Sequence, residues 1–160
     1  MDVETSVLVE ESDLAIYCWH NVVLRLGSRA PDAEQVLLLH TTLETLLESH
    51  SSVGLMAWLP QRARLPSGPT RARAGNMIRS LAPGLAGLSI VVDSTGFWAN
   101  AVRRVVTGLT LFAPLPMKVT TEAGDASMWL SDRLKLGNAA GQALGAFGRS
   151  RTDRVNDVAS

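Results

Sequence analysis

Asp93-Ser94-Thr95-Gly96 is the run whose residue types and spacing come nearest to a chemical site. A carboxylate, two hydroxyls and a glycine stand just ahead of an amphipathic stretch, so the run falls at a helix N-terminus. Free backbone N–H groups and a partial positive charge there favour a phosphate, either on a ligand or on Ser94 or Thr95. The same residue types also serve routinely as helix N-caps. A single glycine with no lysine after it fits neither dinucleotide nor P-loop spacing.

A second group is basic. Arg62, Arg64, Arg71, Arg73 and Arg79 make the densest stretch of like charge. Nucleic-acid binding would want aromatic platforms or a recognition helix with such a patch. Residues 62–79 hold no aromatic side chain, and the pI is about 6.8. The stretch instead predicts an exposed loop, with Arg62, Arg64, Arg71 and Arg73 meeting a protein partner that has an acidic surface. The acidic first third of a second copy would serve, which would make a homodimer.

Other reactive residues form no pattern. His20, His40 and His50 make no His-x-x-x-His or His-x-Glu pair, and nucleophile-elbow and zinc-protease motifs are absent. The one cysteine, Cys18, excludes an internal disulfide and a multi-cysteine zinc site, and its apolar neighbours suit a buried small residue. No catalytic residue, metal ligand set or cofactor is assigned on these grounds.

Charge is unevenly spread although the net is zero. Residues 1–50 carry nine acids and two arginines; residues 51–104 carry seven arginines and one acid, Asp93. Such a polar molecule steers partners electrostatically. No segment approaches the ~20 apolar residues of a membrane span. The acidic start Met1-Asp2-Val3-Glu4 is unlike a secretory signal, so a cytoplasmic protein is expected.

The elements that must position these residues follow from periodicity. Residues 3–10 and 13–23 read as strands joined by the polar turn Glu11-Ser12-Asp13, a hairpin. Val36, Leu39, Leu43, Leu46 and Leu47 mark a helix over 31–49. Residues 53–59 are apolar throughout and 88–92 nearly so, with Ser89 the exception, which predicts central strands covered on both faces. Helices follow over 70–82, 96–112 and 123–136, with a short strand over 117–121. After 137 the glycines at 137, 141, 145 and 148 dilute helix potential, so 137–160 reads as a weakly ordered tail to a domain spanning 1–136. The fold class is α/β, a mixed sheet with an N-terminal hairpin in the order β-β-α-β-α-β-α-β-α.

That order and size, together with Asp93-Ser94-Thr95-Gly96 before a helix, resemble the STAS domain of bacterial anti-sigma factor antagonists. The resemblance covers residues 3–136. It implies a non-enzymatic regulatory or scaffold protein that docks on a partner and is switched by phosphorylation of a serine or threonine in an Asp-Ser-[Ser/Thr]-Gly turn. In the family that turn precedes the helix after the third strand, whereas here it follows the fourth. The equivalent place is the arginine-rich loop, which makes Ser67 and Thr70 the alternative phosphoacceptors. Two other readings compete: a small enzyme or phosphate-binding domain using Asp93 to Gly96, and nucleic-acid binding through the 62–79 arginines.

Overall fold

The computed structural model describes residues 5–60, 63–92, 96–111 and 114–158. Six strands, β1 (Thr5–Glu10), β2 (Leu14–Trp19), β3 (Val22–Gly27), β4 (Val53–Leu59), β5 (Leu85–Val92) and β6 (Met117–Thr120), form one sheet. Their order in space is their order in sequence. The first three make an antiparallel meander, and β3, β4, β5 and β6 are parallel neighbours.

Between the parallel strands run α1 (Ala33–Ser49), α2 (Gly68–Leu81) and α3 (Phe97–Thr110). Because each crossover steps the same way along the sheet, all three helices fall on one face. Val36, Leu39 and Leu43 of α1, Met77 and Ile78 of α2, and Ala99 and Val102 of α3 pack there on Val23, Leu55, Ile90 and their neighbours. The other face is covered by α4 (Ala123–Leu134) and α5 (Asn138–Val158). Leu130, Leu134 and Leu144 pack there on Tyr17, Leu24, Met56 and Trp58. Alternation along β4 serves both layers, with Leu55 facing α1–α3 and Met56 facing α4 and α5. This is the two-sided burial that an unbroken apolar run predicts, and 53–59 does pair with 85–92.

Two expectations are corrected. The run 13–23 is two strands, because the chain reverses at His20-Asn21, so the order is β-β-β-α-β-α-β-α-β-α-α. His20 takes φ 50°, and no glycine or proline marks the turn. Asn21 holds it by donating from Nδ2 to the carbonyl of Ser52, 2.8 Å away.

The second correction concerns 138–158, a 21-residue helix rather than a weakly ordered tail. Its glycines are what allow it to pack. A Cβ on Gly141 would lie 2.7 Å from Met128 Sδ and 3.2 Å from Met128 Cα; on Gly145, 2.7 Å from Ser127 Oγ; on Gly148, 2.9 Å from the Trp58 ring. Tertiary contact thus outweighs the poor helix propensity of glycine. Phe147 of α5 meets Tyr17 of β2 edge-to-face at 5.1 Å.

Candidate functional site

The β3–α1, β4–α2 and β5–α3 loops gather at the C-terminal ends of the parallel strands, where α/β sheets usually carry their sites. Here the strand order never reverses. Adjacent loops therefore leave the sheet toward the same face, and no crevice opens between loops diverging to opposite faces.

Arg64 is exposed, and its N–H donates to the carbonyl of Ser28 at 3.2 Å, which ties the β4–α2 loop to the end of β3. Ser67 is the N-cap of α2. Its hydroxyl accepts from the N–H of Thr70 at 3.3 Å and donates to the Thr70 hydroxyl at 3.0 Å. Ser67 is exposed and Thr70 is buried, so of the two only Ser67 is presented to another molecule. Arg71 and Arg73, both exposed, project to different sides of α2, since positions two apart are about 200° apart around a helix. The arginine stretch is therefore not a single patch. Arg73 lines the groove toward α1. Arg62 lies outside the described residues.

Asp93, Ser94 and Thr95 also lie outside the described residues. Gly96 follows with φ +85°, a conformation that side chains resist, and its carbonyl accepts from Asn100 N–H at 3.1 Å to start α3. Next to it Phe97 is 89 % exposed. Arg103 and Arg104 line a shallow surface hollow with Asn100 and Thr107. Phe97 at the start of α3 and two exposed arginines about two turns along it suit contact rather than enclosure.

The histidines occupy three separate settings. His20 sits in the β2–β3 turn, His50 caps α1, and His40 Nε2 lies 3.3 Å from Glu44 and 3.1 Å from the Ser80 hydroxyl. Among the described residues no three metal-ligating side chains converge. Cys18 is half-buried on β2, and burial raises its thiol pKa, which disfavours the thiolate.

Two groups went unnoticed in the sequence. Arg29 bridges the β1–β2 turn, pairing with Glu11 and, at 2.8 Å, with Asp13. The N–H groups of Ser28 and Arg29 donate to the Asp13 carbonyl. Arg25, 3 % exposed, lies beneath α1 on the inward side of β3. A lone arginine at an alternating position inside Val22-Val23-Leu24-Arg25-Leu26 was the available signal. Beside the hairpin, a hollow of about 190 Å³ is bounded by Glu10, Tyr17, Arg151 and Arg154. Its own groups occupy one another: the Tyr17 hydroxyl donates to Glu10 at 3.4 Å, and Arg151 stacks over Tyr17.

Compared with protein-family models, with curated proteins and with solved structures, the chain matches none.

Proposed function

We propose that the chain is a non-enzymatic regulatory or scaffold protein of STAS-like type, acting in the bacterial cytoplasm by binding a protein partner with an acidic surface. The observation that carries this reading is the character of the loop face at the strand ends. It presents Arg64, Arg71 and Phe97 outward on a sheet whose sequential order leaves no switch-point crevice, with Arg103 and Arg104 exposed farther along α3. Exposed arginine and aromatic side chains are the residue types that anchor protein interfaces.

The STAS-like reading takes β1 as an addition to the family's strand pair. If β2 and β3 are taken as the family's strand pair, β4 is the third strand and Ser67 stands where the family's phosphoacceptor stands. A phosphate there would sit at the N-terminus of α2 among arginines, a favourable electrostatic position.

The test is capture from native-cell extract with identification of what is bound. Replacing Arg62, Arg64, Arg71 and Arg73 together by alanine abolishes capture while the thermal unfolding midpoint holds. Unchanged capture removes the proposal. Mass spectrometry of the native protein reads phosphate on Ser67, Thr70, Ser94 or Thr95 in the same experiment.

A further inference from the structure

α1 and α2 lie side by side, and their outward stripes carry opposite charge. On α1, Glu34, Leu37, Thr41, Glu44 and Glu48 recur at helical spacing and are all exposed. On α2, Arg73, Asn76 and Arg79 are exposed, and the helix has no acid. Between the helices runs a groove of about 390 Å³ lined by Val36, Leu37, His40, Arg73, Met77 and Ser80. Leu37 is 65 % exposed at its lip. Glu34, Glu48 and Arg73 form no ion pair within the described chain.

We infer that this face binds a second copy of the chain. A two-fold axis parallel to the helices lays each α1 along the α2 of the other copy. The acidic stripe then meets the basic stripe twice, and each Leu37 enters the opposite groove. The alternative axis, perpendicular to the helices, would set α1 against α1 and oppose like charges. Area sets the strength. A 17-residue helix is about 25 Å long, and two helices about 10 Å apart offer roughly 500 Å² per copy, roughly 1,000 Å² in total. That is the low end for a specific interface, so the dimer forms in the micromolar range and weakens with salt. Apart from Arg73, which is common to both, the interface is distinct from that of the acidic partner proposed above, whose contacts at Arg64, Arg71 and α3 remain open in the dimer.

Sedimentation equilibrium of the full chain, from micromolar to near-millimolar concentration at low and high salt, tests it. A concentration-dependent dimer that dissociates in high salt is expected. Leu37→Glu weakens it by about tenfold or more without changing the unfolding midpoint, since Leu37 is exposed. Two charge-reversed chains give the specific signature. One carries Glu34→Lys, Glu44→Lys and Glu48→Lys; the other carries Arg73→Glu and Arg79→Glu. Each alone loses self-association, and the mixture forms heterodimers. A wild-type chain that stays monomeric throughout, or a dimer indifferent to Leu37→Glu, overturns the inference. Because Leu37→Glu leaves Arg62, Arg64 and Arg71 intact, capture of the acidic partner is read separately, and either proposal can fail alone.

Discussion

Arg25 donates from Nε to the side-chain oxygen of Gln35, 3.1 Å away, across the seam between β3 and α1. Its Nη2 donates to the carbonyl of Arg29 at 2.7 Å, while Nη1 and the Gln35 Nε2 are buried donors that meet no acceptor among the described residues. Among the described residues no carboxylate bonds the guanidinium. Burial, with the charge of Arg29 behind it, pulls the Arg25 pKa down to about 10. A base with a lowered folded pKa costs stability wherever it is charged, and the cost is relieved as pH rises from about 10 toward the higher unfolded value. At neutral pH the cost is on the order of 3 kcal/mol. Arg25→Met with Gln35→Leu therefore raises stability by roughly 1–3 kcal/mol, read from the urea midpoint. Arg25→Met alone gains less, because it leaves the Gln35 oxygen unpaired. A double variant less stable than wild type would contradict the argument.

The other arginine of this region is held differently. A side-chain hydrogen bond from Arg29, opposed by a smaller burial effect, keeps the Asp13 carboxyl below its ordinary pKa. A carboxylate with a lowered folded pKa contributes stability above its unfolded value, and that contribution is lost as pH falls through the folded one. Both side chains are more than a third exposed, so the contribution is below about 1 kcal/mol. Asp13→Asn should flatten the acid limb of the stability curve below about pH 4 and leave the neutral region nearly level.

Two helix glycines should respond to alanine with opposite signs. Gly108 of α3 has nothing within 4 Å of a built Cβ, whereas Gly141 of α5 would press on Met128 Sδ and its Cα. Gly108→Ala stabilises by roughly 0.5–1 kcal/mol through helix propensity and chain entropy. Gly141→Ala loses more than it gains, by roughly 1–3 kcal/mol, because backbone must move. Chemical denaturation of both variants checks the pair; a stabilising Gly141→Ala would mean that α5 packs less closely on α4.

Ser67 supports a prediction that separates capping from switching. Ser67→Ala removes the oxygen that accepts from Thr70 N–H and costs about 1 kcal/mol. Ser67→Asp keeps an acceptor at the N-cap and restores that stability, while adding the charge a phosphate would bring. If Ser67→Asp changes partner capture at unchanged stability, the hydroxyl does more than cap the helix.

Legibility in the sequence followed the strength of the local pattern. Central strands at 53–59 and 88–92 stood out because burial on both faces leaves the runs apolar but for Ser89. α1 showed itself by its leucine stripe. The β2–β3 reversal did not, because a turn at His20-Asn21 lies inside one continuous apolar stretch and its anchor, Ser52, is thirty-one residues away. α5 was hidden for the converse reason: glycine lowers local helix propensity, and the contacts that reward it come from Met128, Ser127 and Trp58 on other elements. Of the site residues, the sequence named Arg64, Ser67 and Arg71 but could not tell that Arg71 and Arg73 diverge. It also passed over Leu37, which reads as one more core leucine until its direction is known.

The position of α5 in the chain has a consequence during synthesis. Tyr17, Leu24 and Trp58 leave the ribosome early, yet part of their cover comes from residues 138–158. At about 5–20 residues per second, the eighty residues between Trp58 and α5 take roughly 4–16 s to make. For that interval the nascent chain carries a greasy, half-clothed sheet surface, which a chaperone at the ribosome exit would be well placed to shield.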